Sequence, residues 1–139
     1  MRALSVTSGQ GGAEAMQAIN REVYRWVFMV LFLGMAPVSL LIAAYGAIVV
    51  GQGPGTMMIL AGLTYLVGCF GVTVFFNVPM NEALAGMEAS ADAALDYWNR
   101  TYLPRWTFWN TVRAAACALS AALLLFSLTW AAQSQAQAA

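Results

Sequence analysis

Three stretches of the chain are apolar and uncharged for longer than any soluble helix needs. The first, Trp26 to Val50, is about 37 Å long at 1.5 Å per residue, enough to cross a ~30 Å hydrocarbon core with some tilt. The second, Met57 to Val78, is also uncharged throughout. The third runs from about Trp106 to Trp130 and is apolar or small-polar without interruption from Ala114 onward. No strand-like alternation competes with the helical reading, and the lengths exclude ordinary strands. The pattern predicts an all-α, multi-pass transmembrane helical bundle: one membrane domain over residues 1–139, with spans at about 26–50, 57–78 and 106–130.

The polar positions fit between these spans. Gly51-Gln52-Gly53-Pro54-Gly55 is a tight uncharged turn that folds the first two spans into an antiparallel hairpin, because glycine bends freely and proline ends a helix. Pro37 sits within the first span, where a missing backbone donor predicts a kink near Leu33 to Pro37. Between the last two spans, about 80–103, the period changes. Leu84, Met87, Ala91, Leu95, Trp98 and Tyr102 recur at three- and four-residue steps, with Glu88, Asp92 and Asp96 opposite. This predicts an amphipathic helix lying along the membrane surface or beneath the spans, its acidic stripe a solvated face. Pro104 is expected to begin the next helix. Met16, Ile19, Val23 and Val27 form a similar stripe, so a helix from near Ala13 is expected to run into the first span.

Composition then fixes the solvent. Of the 139 residues, 61% are hydrophobic and 9% charged, against roughly 25% charged in an ordinary soluble domain, so the surface must face lipid. The net charge is zero, which removes any electrostatic case for a nucleic-acid partner. Met1 to Gly12 lacks the apolar run and cleavage site of a signal peptide. Cys69 and Cys117 lie inside apolar runs and read as small hydrophobes. All six basic residues, Arg2, Arg21, Arg25, Arg100, Arg105 and Arg113, lie before the first span or around the start of the third. By the positive-inside rule the amino terminus and the 79–105 segment are cytoplasmic, in the inner (plasma) membrane, and the Gly-Pro turn and carboxyl tail face outward.

The strongly polar side chains that approach the membrane gather at that same end. Asn77 and Asn81 flank Pro79 as the second span ends, Asn110 and Arg113 open the third with Trp106, Trp109 and Cys117 at helical spacing, and Asn20 and Arg21 precede the first. Each has a plain reading. Trp98, Tyr102, Trp106 and Trp109 suit an aromatic belt, Arg113 can snorkel to headgroups, and asparagines cap or tie helices. Their coincidence at one depth on neighbouring helices instead favours a shallow cavity, since polar groups there face a bundle interior or water.

These residues carry a family resemblance. Asn77-Val78-Pro79-Met80-Asn81, followed by Trp98, Tyr102-Leu103, Arg105-Trp106-Thr107, Trp109-Asn110 and Arg113, resembles the anthrone oxygenase-like family of small membrane proteins, as does Met16-Gln17-Ala18-Ile19-Asn20-Arg21. Family members usually have four spans, and Met1 to Leu4 resembles the tail of their first; Thr111 stands where members often carry a histidine. The resemblance implies oxygenation of an anthrone-type polycyclic phenol to the quinone with O₂, without metal or flavin. The absence of histidine, of cysteines at ligand spacing and of a glycine-rich dinucleotide loop is consistent with that. Such a site must favour the deprotonated substrate. Arg113 would stabilise its anion, Asn81 and Asn110 would donate hydrogen bonds, and Trp106 and Trp109, with Asn77, Tyr102 and Trp98, would hold the flat rings. Glu82 is the nearest candidate base. The rival reading is a non-enzymatic membrane protein that binds a quinone or lipid, or serves as a small subunit of a larger complex; a transporter is third. Ala114, Ala118 and Ala122 form a small-residue stripe suited to close packing, and three spans alone leave the polar ends thinly covered, so either a further helix upstream or self-association as a homo-oligomer in membrane lipid is expected.

Overall fold

The computed structural model describes every residue except Ser8, Gly9, Tyr24, Gln52, Ala89, Ser90, Ala91 and Ala139. Among the described residues the regular structure is all helix, with no strand. A one-turn helix α1 (Arg2–Ser5) and an amphipathic helix α2 (Gly11–Val23) precede three helices long and apolar enough to cross a membrane, α3 (Trp26–Val50), α4 (Pro54–Ala85) and α5 (Asp92–Gln137). The three long apolar stretches therefore fold as expected. Gly51 and Gly53, at φ +74° and +80°, supply the left-handed backbone between α3 and α4, and Pro54 opens α4 where its missing N–H costs nothing.

The structure departs from the sequence pattern at the helix ends. The α2 stretch does not run into the first span; it stops at Val23, and the Arg25 N–H bonds the Glu22 carbonyl in a turn before Trp26. The amphipathic stretch about 80–103 is in two pieces. Its start continues α4 to Ala85 and its end, from Asp92, continues without a break into the third span. Pro104 consequently lies within α5 and begins nothing. Both helices pass their prolines by the same device. The turn Thr73–Asn77, which closes with the Val78 N–H on the Thr73 carbonyl, is wound with i→i+5 bonds just before Pro79. The turn Trp98–Tyr102, closed by the Leu103 N–H on the Trp98 carbonyl, stands in the same relation to Pro104. A wider turn relieves the clash of a proline ring with the preceding carbonyls.

The contacts divide into two compact units. The second, Phe32–Gly71 with Val112–Ala139, contains a single charged residue, Arg113. Its helices meet through small residues. A side chain at Gly46 would strike the Gly55 carbonyl and Met58, one at Gly62 would strike Ser39 and Ala43, and one at Gly68 would strike Ala116. Serines close the seam: Ser120 Oγ donates to the Ala61 carbonyl at 2.8 Å and Ser127 Oγ to the Pro54 carbonyl at 2.7 Å. Such packing holds helices together in lipid, where apolar burial gives little drive. The contact stripe of α5 is thus Ala116, Ser120 and Ser127, whereas Ala114, Ala118 and Ala122 are exposed. Outward faces are strongly apolar, with Leu41 68%, Ile48 82% and Val67 70% exposed, a surface that water does not tolerate over such an area.

The first unit, Met1–Leu31 with Val72–Thr111, holds five of the six arginines and all six carboxylates. Its core is Ala13 and Met16 of α2 against Leu84 of α4 and Trp98 and Tyr102 of α5. Glu88, Asp92 and Asp96 are exposed, as a solvated stripe should be. The buried face of α2 is turned from the one its apolar residues suggest. Gln17 and Asn20 are buried with Met16, while Ile19 is 44% and Val27 of the next helix 52% exposed. Gln17 explains the turn. Its Nε2 donates to the carbonyl of Leu84 at 2.7 Å, which also accepts the Met87 N–H, and to that of Met87 at 3.0 Å, just beyond the end of α4.

Candidate functional site

Tyr102 is the hub of the first unit. It has no exposed surface and lies between two indoles of its own helix, Trp98 with ring centroids 5.3 Å away and Trp106 at 6.0 Å, both close to parallel. Its hydroxyl donates to Asn81 Oδ1 at 2.7 Å and accepts from Asn20 Nδ2 at 3.4 Å. A chain of amide, phenol and amide therefore joins α2, α5 and α4. It has a direction: with its oxygen taken by the phenol, the Asn81 side chain keeps its Nδ2 hydrogens to donate elsewhere.

The Asn81–Tyr102 contact sets the register of α4 against α5, which run antiparallel here. One turn further along each helix stand Asn77, on the face of Asn81, and Trp106, on the face of Tyr102. Asn77 is 3% exposed, and neither its Nδ2 nor its Oδ1 has a hydrogen-bond partner; the Trp106 Nε1 is likewise buried and unpartnered. Beyond them Phe76 and Trp109 stack at 3.8 Å and 13°, so the two helices remain in contact.

Of the residues singled out in the sequence, Asn77, Asn81, Trp98, Tyr102, Trp106, Trp109 and Asn110 all belong to this unit. Asn110 is half-buried at the membrane-span end of the unit. Glu82 belongs to the unit as well but is exposed, one residue and about 100° around the helix from Asn81. Arg113 belongs to the second unit. Cys69 and Cys117 are free thiols and form no disulfide. Two participants escaped the sequence reading. Gln17 carried a signal, its spacing of three from Asn20 on one helix face; Phe76 carried none that distinguishes it from lipid-facing neighbours.

A buried amide without partners is a burden on stability of about 1–3 kcal/mol. Asn77→Leu, near in volume and apolar, should therefore raise the melting temperature of the detergent-purified protein. A lower melting temperature would mean that the amide is satisfied in the folded state.

Comparison with known proteins matches the family model described as Anthrone oxygenase to residues 21–123. No curated protein and no solved structure matches the chain.

Proposed function

Because the chain belongs to the anthrone oxygenase family, we propose that it oxidises an anthrone-type aromatic to the corresponding quinone, drawing on O₂ alone. The observation that carries the site is the 2.7 Å hydrogen bond from Tyr102 to Asn81. By occupying the amide oxygen, it leaves the Asn81 N–H as a donor next to the aromatic stack of Trp98, Tyr102 and Trp106, the kind of polar group a flat phenolate-like ligand requires. The carbonyl oxygen of the anthrone receives that donor. As the ring CH₂ loses a proton, the oxygen becomes an enolate oxygen, and the bond to Asn81 strengthens with the charge. Neutral donors thus do the work that a strong base would otherwise do, and the proton passes to water.

The remaining chemistry belongs to the anion and O₂. The enolate passes one electron to O₂, and the resulting radical and superoxide join in a C–O bond at the ring carbon para to the carbonyl. The peroxide takes up a proton; loss of the second ring hydrogen as a proton then breaks the O–O bond. One oxygen atom stays as the new carbonyl and the other leaves as water. Trp98, Trp106 and Trp109 supply flat apolar surface for the rings. The test is O₂ uptake by the purified protein with anthrone. Uptake should exceed the spontaneous rate in the same detergent in proportion to protein added; a rate equal to the spontaneous one would leave the protein as a binder of quinone or lipid.

The same unit is the cytoplasmic one by its excess of arginines. A cysteine placed at Thr56 should react with an impermeant thiol reagent applied outside intact cells, and one placed at Glu88 should not; the reverse labelling would invert the topology.

A further inference from the structure

Two donor sets lie on facing helices, one helical turn apart, and each needs an oxygen. The first is the Asn81 amide, fixed by Tyr102. The second is the Asn77 amide with the Trp106 N–H, both buried and without partners. Residues 77–81 and 102–106 are each wound at or close to α-helical pitch, since the wider turns end at Asn77 and Tyr102. Four residues at 1.5 Å per residue therefore separate the two levels by about 6 Å, within roughly 1 Å of the oxygen spacing of a para-quinone. Two ~1.23 Å carbonyl bonds added to a ring diagonal put the para oxygens of a quinone roughly 5.3 Å apart. A ligand with one oxygen satisfies one level. A para-quinone satisfies both.

We propose that Asn77 and Trp106 form the binding site for the second oxygen of the product, the atom delivered by O₂, opposite the oxygen held by Asn81. The orientation rests on the reading given above for Asn81, and it adds a position for the chemistry: the new C–O bond forms at the level of Asn77 and Trp106. The arrangement makes the site a two-ended ruler for flat rings with oxygens para to one another. It also implies that the protein holds product more tightly than substrate, so quinone release is slow relative to substrate binding.

The experiment is equilibrium binding under nitrogen, read by quenching of tryptophan fluorescence in detergent-purified protein. The two probes are 9,10-anthraquinone, with two para oxygens, and anthrone, with one. The wild-type protein should bind anthraquinone more tightly. Asn77→Leu and Trp106→Phe should each weaken anthraquinone binding roughly tenfold, one net hydrogen bond, and change anthrone binding less than about twofold. Asn81→Leu should weaken both. Equal losses for the two probes, unchanged anthraquinone binding in both variants, or no preference in the wild type would each overturn the assignment. Trp106→Phe keeps an aromatic ring but loses bulk along with the donor, whereas Asn77→Leu is near in volume, so a loss shared by both variants and confined to anthraquinone reads the hydrogen bonds and not the packing. No turnover enters this measurement. A protein that shows the two-ended preference and yet fails to consume O₂ would keep this site and lose the oxygenase reading; one that consumes O₂ without the preference would do the opposite.

Discussion

Asn81→Asp is expected to lower kcat/KM for anthrone oxidation by about 10²–10³-fold, the cost of losing a donor aimed at developing negative charge. The substitution preserves shape. Tyr102 still has an oxygen to donate to at 2.7 Å, so the hub of the first unit stays intact. What changes is the other end of the side chain, where an N–H donor becomes a carboxylate oxygen facing the substrate's own oxygen. A carboxylate there repels the enolate and raises the barrier to its formation. The loss should fall mainly on kcat, because the neutral ketone bears little charge and the anion bears all of it. Steady-state kinetics with an unaltered melting curve would check the prediction; a variant within threefold of wild type would remove Asn81 from the anion site.

Gly46→Leu should be the most damaging single change to the second unit. A side chain at Gly46 meets the Gly55 carbonyl and Met58, and one at Gly55 meets the Gly46 carbonyl, so the two backbones face each other with no room for either to carry a side chain. Neither can yield without separating α3 from α4. Overpacking of this kind costs roughly 3 kcal/mol. Gly34 provides the contrast, because nothing lies within 4 Å of the position a side chain would take. Gly34→Leu should leave the melting temperature in detergent nearly unchanged, while Gly46→Leu lowers it sharply or abolishes expression. Equal effects would show that the loss comes from glycine flexibility and not from the seam.

The long helices were legible because lipid imposes a blunt rule: about twenty uncharged residues with internally satisfied backbones. The solvated acidic face of Glu88, Asp92 and Asp96 was legible for the complementary reason, since charges at helical spacing have one comfortable environment. The ends of helices were not. Pro104 reads as a start only if the turn before it is α-helical, and the wider turn Trp98–Tyr102 carries the helix through. Nor does the apolar stripe of α2 reveal that Gln17 and Asn20 face inward. That depends on α4 ending at Ala85 with carbonyls open to a donor, and on a phenol placed to accept from Asn20.

The candidate site was legible in its ingredients and less so in its wiring. Asn77, Asn81, Trp98, Tyr102 and Trp106 stood out as polar or aromatic groups at one depth, yet Tyr102 read as part of a wall and is instead the hub. Spacing does not encode hydrogen-bond direction; that follows from which atoms a neighbouring helix presents. Glu82 illustrates the limit of proximity in sequence, since one residue along a helix is a different face, and this one is exposed.

An anthrone oxygenase accelerates transfer of one atom of O₂ into its substrate. The direct measurement is the initial rate of quinone formation from anthrone under ¹⁸O₂, by mass spectrometry, for wild type, Asn81→Asp and protein-free detergent. The quinone is expected to carry one ¹⁸O atom and to be formed by the wild type at a rate proportional to its concentration and by Asn81→Asp near the protein-free rate. Labelled quinone appearing equally fast in all three samples would contradict that expectation.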